Sequence, residues 1–457
     1  MGSIAEPEDD TSSDVMGQWP QLKSYNHGIL IFRDPGYPRE MMKTVVQFGA
    51  EAIVEQIPWI AEQVVHNGVT KTNSGRYETA PWPEDQPPNE LVRFKDCDDL
   101  LPSFDELQEA GFPIRMLPAD ILCPVPGYPE TYDESTLYPA PALIVQVNFI
   151  RDGVLVTLCN QHNVMDGTGV FTLVQMLGSI VSGQEIPDED LEQANRDRST
   201  VVPLYPAGCK IRNHDLLLRQ PPAPVMIPPP PEPAKWLALR FSKEAAAQVK
   251  ETASQLEGFD PAVSHISTND AVSALFWKCI AKARVDHGLD ASLTSKFSRA
   301  IDCRAAVNVP ATYLGQMVYF AAAWMTLRDL IDQPLSTITS CLRKSLNKAN
   351  TEYSVRSFAT FLSQVPDKNT LAYGGSFNRE TDISSSSMAG SNFKVDMGHF
   401  GRAEAIRRPN LSPLPSSFYT FPPGESGDLN LQVCLYDWEM EALKNDPMWG
   451  PHMVVIG

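Results

Sequence analysis

Residues 143–169 decide how the chain reads: Leu143-Ile144-Val145-Gln146-Val147-Asn148-Phe149-Ile150-Arg151-Asp152-Gly153-Val154-Leu155-Val156-Thr157-Leu158-Cys159-Asn160-Gln161-His162-Asn163-Val164-Met165-Asp166-Gly167-Thr168-Gly169. Two runs of β-branched and apolar residues flank Arg151-Asp152-Gly153, and an Asp-Gly turn between such runs predicts a hairpin. A loop from Asn160 to Thr168 follows. Val170, Phe171, Val174, Leu177 and Ile180 then share one face of a helix that Thr168 is placed to cap. Within the loop His162 and Asp166 are four apart, with Gly167 next. A histidine leaving a strand end can present a ring nitrogen to a cleft, and neutral imidazole is a suitable base for an alcohol or amine. An aspartate four residues on, in a turn eased by Gly167, would fix the loop. The competing reading is a hydrogen-bonded structural histidine. Among eight histidines, H-x-x-x-D-G arises by chance about 0.03 times at average Asp and Gly usage. No other histidine here has Asp at the fourth following position. The spacing alone has no unique chemistry.

Outward from this stretch, residues 24–32 read as a strand and 41–65 carry apolar residues at helical spacing. Segment 79–140 is rich in Pro, Asp and Glu and reads as long loops with short elements. Pro203 to Pro233 is a proline-rich stretch that favours extended polyproline conformation and reads as an interdomain linker. A second α/β pattern then begins: a strand at 236–241, a helix at 242–256, a capped helix at 271–284, strands near 296–303, 317–327, 383–388, 392–396 and 430–436, and a helix near 336–350. At 457 residues the chain exceeds one core of about 100–200 residues. The expected division is a disordered tail 1–15, an N-terminal domain 16–202, a crossover linker 203–234 and a C-terminal domain 235–457. The fold class is mixed α/β.

Hydrophobic residues make up 43% and charged residues 20%, a globular balance. Lys and Arg number 37 against 56 Asp and Glu, a net charge of -19. Phosphate backbones and anionic lipid repel such a chain, and no basic patch supports a nucleic-acid role. The eight cysteines are scattered, with no C-x-x-C knuckle, as in reduced cytosolic proteins. No apolar run reaches the roughly 18–20 residues of a membrane span, and no signal core or lipidation motif is seen. A cytoplasmic monomer without bound metal is expected.

Four blocks, in order, carry a family resemblance. They are His162-Asn163-Val164-Met165-Asp166-Gly167; Ser267-Thr268-Asn269-Asp270-Ala271-Val272-Ser273-Ala274-Leu275-Phe276-Trp277; Asp302-Cys303-Arg304 with Pro310 and Tyr313-Leu314-Gly315-Gln316; and Asp396-Met397-Gly398-His399-Phe400-Gly401 followed by Glu404-Ala405-Ile406-Arg407-Arg408-Pro409. From about Leu22 to about Trp449 the chain resembles the BAHD acyltransferase superfamily, in particular its fungal branch of trichothecene 3-O-acetyltransferase-like enzymes. The resemblance implies two chloramphenicol-acetyltransferase-like domains of mixed sheet and helices, with a channel between them. Acyl-CoA, acetyl-CoA foremost, would be the co-substrate, and a hydroxylated small molecule the acceptor. His162 would be the general base. Asp166 would point away and hold the loop through an arginine, Arg299 or Arg304. Ser386 or Ser387, in the run Ser384-Ser385-Ser386-Ser387, would be the oxyanion donor, the alternative being a flexible polar loop. Asp396 would salt-bridge Arg304, and Gly398 and Gly401 would allow a tight turn. Ser267, Thr268, Ser298 and Arg299 would meet the CoA phosphates, while Lys296 reads as a solvated surface residue.

The sequence departs from the family pattern in places. Met397 and His399-Phe400 replace the Phe and Trp of D-F-G-W-G, with one extra residue between the glycines. Ala403 stands for the following proline, Gln316 for Asn, and Met388 for the Trp after the serines. The acceptor, the acyl chain length and O versus N transfer are not legible. Alternatives are condensation with a carrier-protein thioester, non-acyl chemistry such as cyclisation or isomerisation with His162 as base, and a degenerate binding protein. Gln161, where condensation domains usually carry a second histidine, and the lack of a fused carrier domain speak against the first. Intact His162, Asp166 and Gly167 speak against the last.

Overall fold

The computed structural model describes residues 14–223, 225–226, 229–390, 397–423 and 426–457. The hairpin forms as Leu143–Ile150 and Gly153–Gln161, with Ile150 opposite Gly153, so Arg151 and Asp152 alone make the turn. Asp152, not Gly153, takes the left-handed conformation, at φ 58°, a region that short polar side chains tolerate. Every residue of Leu143–Ile150 is buried, because it is covered on both faces.

That strand belongs to a five-stranded sheet in the order Ala405–Arg407, Tyr25–Arg33, Gly153–Gln161, Leu143–Ile150, Val92–Asp96. Helices Arg39–Gln56 and Gly167–Val181 pack on one face. The first helix stops well before residue 65. Ile57 precedes Pro58, which disfavours helix at the residue before it, and a strand begins at Gln63. A seven-stranded sheet follows the order Met453–Val455, Lys235–Phe241, Leu429–Leu435, Ser417–Phe421, Ile383–Ser387, Thr294–Asp302, Val318–Thr326. Its central helix, Thr268–Asp286, is buried along most of its length and starts with a capping box between Ser267 and Asp270. The strand expected over 392–396 lies outside the described residues.

The two sheets are interlocked. Ala405–Arg407 comes from the C-terminal half, yet it pairs with Tyr25–Arg33 in the N-terminal sheet, Ile29 opposite Arg407. Leu314 from the C-terminal half sits in the N-terminal core, while Met16, Trp19 and Leu22 pack with Tyr313 and Phe358. Residues 1–13 of the expected tail are outside the described residues, but Asp14 is already buried. Within the proline-rich segment, the His214 ring packs at a tilt against Phe358 and Phe361. Arg219 N–H donates to the Thr370 carbonyl at 2.8 Å. That part is docked on the C-terminal half and does not span a gap as a free spacer.

Candidate active site

A cavity of about 330 Å³ lies between the sheets, walled by Asn26–Gly28, Asn160 and His162 on one side and by Ser298, Ser384–Met388 and Tyr419 on the other. His162 follows the strand Gly153–Gln161, and its N–H donates to the Ser24 carbonyl at 2.8 Å. The loop after it is held at each step. Asn163 Nδ2 donates to the carbonyls of Gly17 (2.6 Å) and Trp19 (2.9 Å). Asn160 Nδ2 donates to the Met165 carbonyl at 2.8 Å and Arg198 to that of Val164 at 2.6 Å.

The His162 ring lies edge-to-face between Tyr128 and Tyr373, at 5.9 and 6.4 Å. Its Nδ1 is enclosed without a hydrogen-bond partner, leaving Nε2 as the nitrogen open to the cavity. Burial, helped by Arg408 and opposed by nearby backbone groups, lowers its pKa to about 4. The imidazole is therefore neutral, and basic, at pH 7.

Asp166 points away from the cavity centre. One carboxylate oxygen accepts from Gly169 N (2.8 Å) and Arg304 (2.9 Å), the other from Arg304 (2.9 Å) and Met317 N (2.8 Å). It thus caps helix Gly167–Val181, the role expected of Thr168, whose hydroxyl instead donates to Asp302 at 2.9 Å. Burial pushes the Asp166 carboxyl up and Arg304 draws it down. Two backbone N–H donors and a bidentate guanidinium favour its ionised form.

Of the two arginine candidates, Arg304 holds Asp166. Arg299 is buried against Asp270 at 2.6 Å, on the far side of its strand from the cavity. Asp396, expected opposite Arg304, lies outside the described residues. The Arg304 guanidinium is occupied by Asp166, Asp302 and the carbonyls of Tyr313 and Gly315.

Gly167 is helical and not left-handed, so the turn does not need glycine's freedom. Gly398 and Gly401 do adopt positive φ, 59° and 67°, in a tight turn against the far end of helix Gly167–Val181. Gly169 is constrained for another reason: a Cβ there would lie 2.0 Å from the Leu314 carbonyl oxygen. Gly17 is similar, 1.9 Å from the Asn163 oxygen. Gly169→Ala is expected to destabilise the fold by about 1–3 kcal/mol or more and to displace Asp166. Urea denaturation and thiol-release assays of the variant check both.

The serine run is strand Ile383–Ser387, not a flexible loop. Ser384 through Ser387 all line the cavity, with Ser386 half-buried opposite Tyr419. Of the expected CoA contacts only Ser298 lines the cavity. Ser267 is engaged by its capping box with Asp270, and Thr268 stands beside it in the first turn. Lys296 is buried, not solvated. It donates to the Ser376 carbonyl and faces Asp382 at 3.9 Å. Sequence reasoning missed His27, Tyr128, Tyr373 and Arg408. Only Arg408 carried a signal, as a charged residue next to the diverged glycine block.

Residues 30–180 match the trichothecene 3-O-acetyltransferase-like N-terminal domain, and residues 127–448 the Transferase family. O-acetyltransferase epaC of Aspergillus niger is 37% identical over 447 residues, covering 97% of this chain and 96% of that one. O-acyltransferase pigD of Monascus ruber is 37% identical, covering 98% and 99%. The crystal structure of F. sporotrichioides TRI101 complexed with coenzyme A and T-2 superposes with a TM-score of 0.88 at 28% identity, covering 97% of this chain and 99% of that one. The expected two-domain BAHD-type acyltransferase fold is thus borne out. With its interlocked sheets and the His162–Asp166 loop at their junction, the chain belongs to the Transferase family, in the branch with a trichothecene 3-O-acetyltransferase-like N-terminal domain.

Proposed function

We propose that the chain is a CoA-dependent O-acyltransferase that transfers an acetyl group to a hydroxyl of a specialised metabolite. One observation carries this reading: a neutral His162, open at Nε2, stands in a cavity between two sheets while Asp166 is turned away onto Arg304. The names of the relatives and the CoA complexes of the structural neighbours support it. His162 takes the hydroxyl proton as the oxygen attacks the thioester carbonyl. The tetrahedral intermediate collapses, the C–S bond breaks, and His162 returns the proton to the departing sulfur, which releases CoA as the thiol and restores the neutral base. The closing of two substrates on one base supplies proximity, and the Ser386 hydroxyl is the donor assigned to the developing oxyanion. The halves 16–202 and 235–457, joined by 203–234, each furnish one wall. The site of action is the cytoplasm. Two observations support that placement: among the described residues no helix is long and apolar enough to cross a membrane, and all eight cysteines are free.

Calorimetric titration of acetyl-CoA and free CoA, followed by a thiol-release screen of hydroxylated metabolites, tests the proposal. Saturable binding and turnover of at least one alcohol are expected. A folded protein that binds neither ligand overturns it.

A further inference from the structure

Three buried arginines, Arg284, Arg299 and Arg304, pair with carboxylates. The buried Arg407 donates to the carbonyls of Gly111 and Phe112. Arg408 differs. It lines the cavity, and among the described residues it has no carboxylate partner, in a chain with 56 acidic residues. Its guanidinium lies over the rings of Trp236 and Tyr419, at 5.0 and 5.1 Å, and gives one hydrogen bond to the Tyr128 carbonyl at 3.2 Å. A guanidinium carries five N–H donors, and none of the remaining ones is enclosed by protein. The neighbouring wall offers no compensation. His27, which also lines the cavity, is buried with both ring nitrogens unpartnered, and it is neutral, its pKa lowered to about 3 by burial and by Arg408. The ring packs directly against Gly127, where a Cβ would lie 2.4 Å from His27 Nδ1.

A fixed cation facing the cavity with free donors is a receptor for an oxygen. CoA phosphates do not fit this position. They lie at the far end of the pantetheine arm from the thioester, whereas Arg408 is one aromatic residue, Tyr128, away from His162. We propose that Arg408 is a specificity-determining residue that binds a carbonyl-type oxygen (ketone, ester or carboxylate) on the acceptor. The acceptor would therefore carry such an oxygen besides the hydroxyl that is acylated. This inference rests on the acyltransferase reading of the cavity.

The test uses three benzylic alcohols of similar size: 4-(hydroxymethyl)benzoate, 4-(hydroxymethyl)acetophenone and 4-ethylbenzyl alcohol. Thiol release from acetyl-CoA gives kcat and KM. Titration into the CoA-loaded protein gives Kd, so the comparison does not depend on turnover. Wild type is expected to favour one or both carbonyl compounds over the ethyl compound by about 10-fold or more, the range of a hydrogen bond to a charged group. Preference for the benzoate alone identifies a carboxylate, and preference for both identifies any carbonyl oxygen. Arg408→Met should bring the ratio to within about two-fold, through acceptor KM and Kd, with acetyl-CoA Kd unchanged. Arg408→Lys, which keeps the charge and the stem, should fall between. The proposal is overturned by equal or undetectable binding of the three alcohols to wild type. A variant loss that falls equally on all three, or a weakened acetyl-CoA Kd, overturns it too. Failure of acetyl-CoA to bind wild type instead defeats the acyltransferase reading itself.

Discussion

Replacing His162 with alanine is expected to lower kcat by about 10²–10⁴-fold, the usual contribution of a positioned base, while acetyl-CoA binds the variant as it binds wild type. The ring is wedged between Tyr128 and Tyr373 and, among the described residues, is hydrogen-bonded to no other side chain, so its removal deletes a base without breaking a side-chain network. The pH profile gives an independent check. The active form is the neutral one, which exists above the pKa, and burial with Arg408 sets that pKa at about 4 against an ordinary 6.5. Lowering the pH from neutral should therefore leave kcat/KM level until the pH nears 4, where it falls as His162 is protonated. A group of ordinary pKa would instead begin to lose activity near 6.5. An inflection there, abolished in His162→Ala, would show that the base is not held in the enclosed state described.

The second large effect belongs to Asp166. Asp166→Ala removes the acceptor for Arg304, Gly169 N–H and Met317 N–H together. Both ion-pair side chains are 2% exposed, so the variant leaves a guanidinium buried with only Asp302 to balance it. Breaking one side of a buried pair costs about 3–5 kcal/mol, and urea denaturation should read a loss of that size. A loss below about 1 kcal/mol, as at exposed pairs, would show that the pair is not structurally demanding. Activity should fall as well, because Gly169 and Met317 fix the base of the His162 loop. Asp166→Asn, which keeps the shape and one cap acceptor, should recover part of the stability. The double variant with Arg304→Met measures the coupling between the two residues.

The hairpin, the His162 loop and the following helix were legible because their signals are local: alternation, turn chemistry and helical spacing lie within a few dozen residues. The division of labour between Arg299 and Arg304 was not. Arg299 lies within strand Thr294–Asp302 and faces Asp270, whereas Arg304 opens the 3-10 turn just after that strand and reaches Asp166, and neither placement is readable from residue type. Thr168 was the better cap by residue type alone, yet Asp302, 134 positions away, claims its hydroxyl. A strand near 383–388 was legible, but residue type did not decide whether its serines would hold to it or form a flexible polar loop. That strand is imposed by parallel neighbours on both sides, Thr294–Asp302 and Ser417–Phe421. Tyr373 and His27 enter the cavity from segments with no chemical signature at all.

The strand Ala405–Arg407 works as a buckle. Because the C-terminal half is hydrogen-bonded into the N-terminal sheet, cutting the chain anywhere in 203–234 would leave two pieces still fastened through a shared sheet. Hinged opening of the halves would have to strip that strand from Tyr25–Arg33 and expose two bare edges to water. Substrates must therefore enter and leave the cavity with the halves still joined, so access depends on side chains and loops at its rim more than on any swing of its walls.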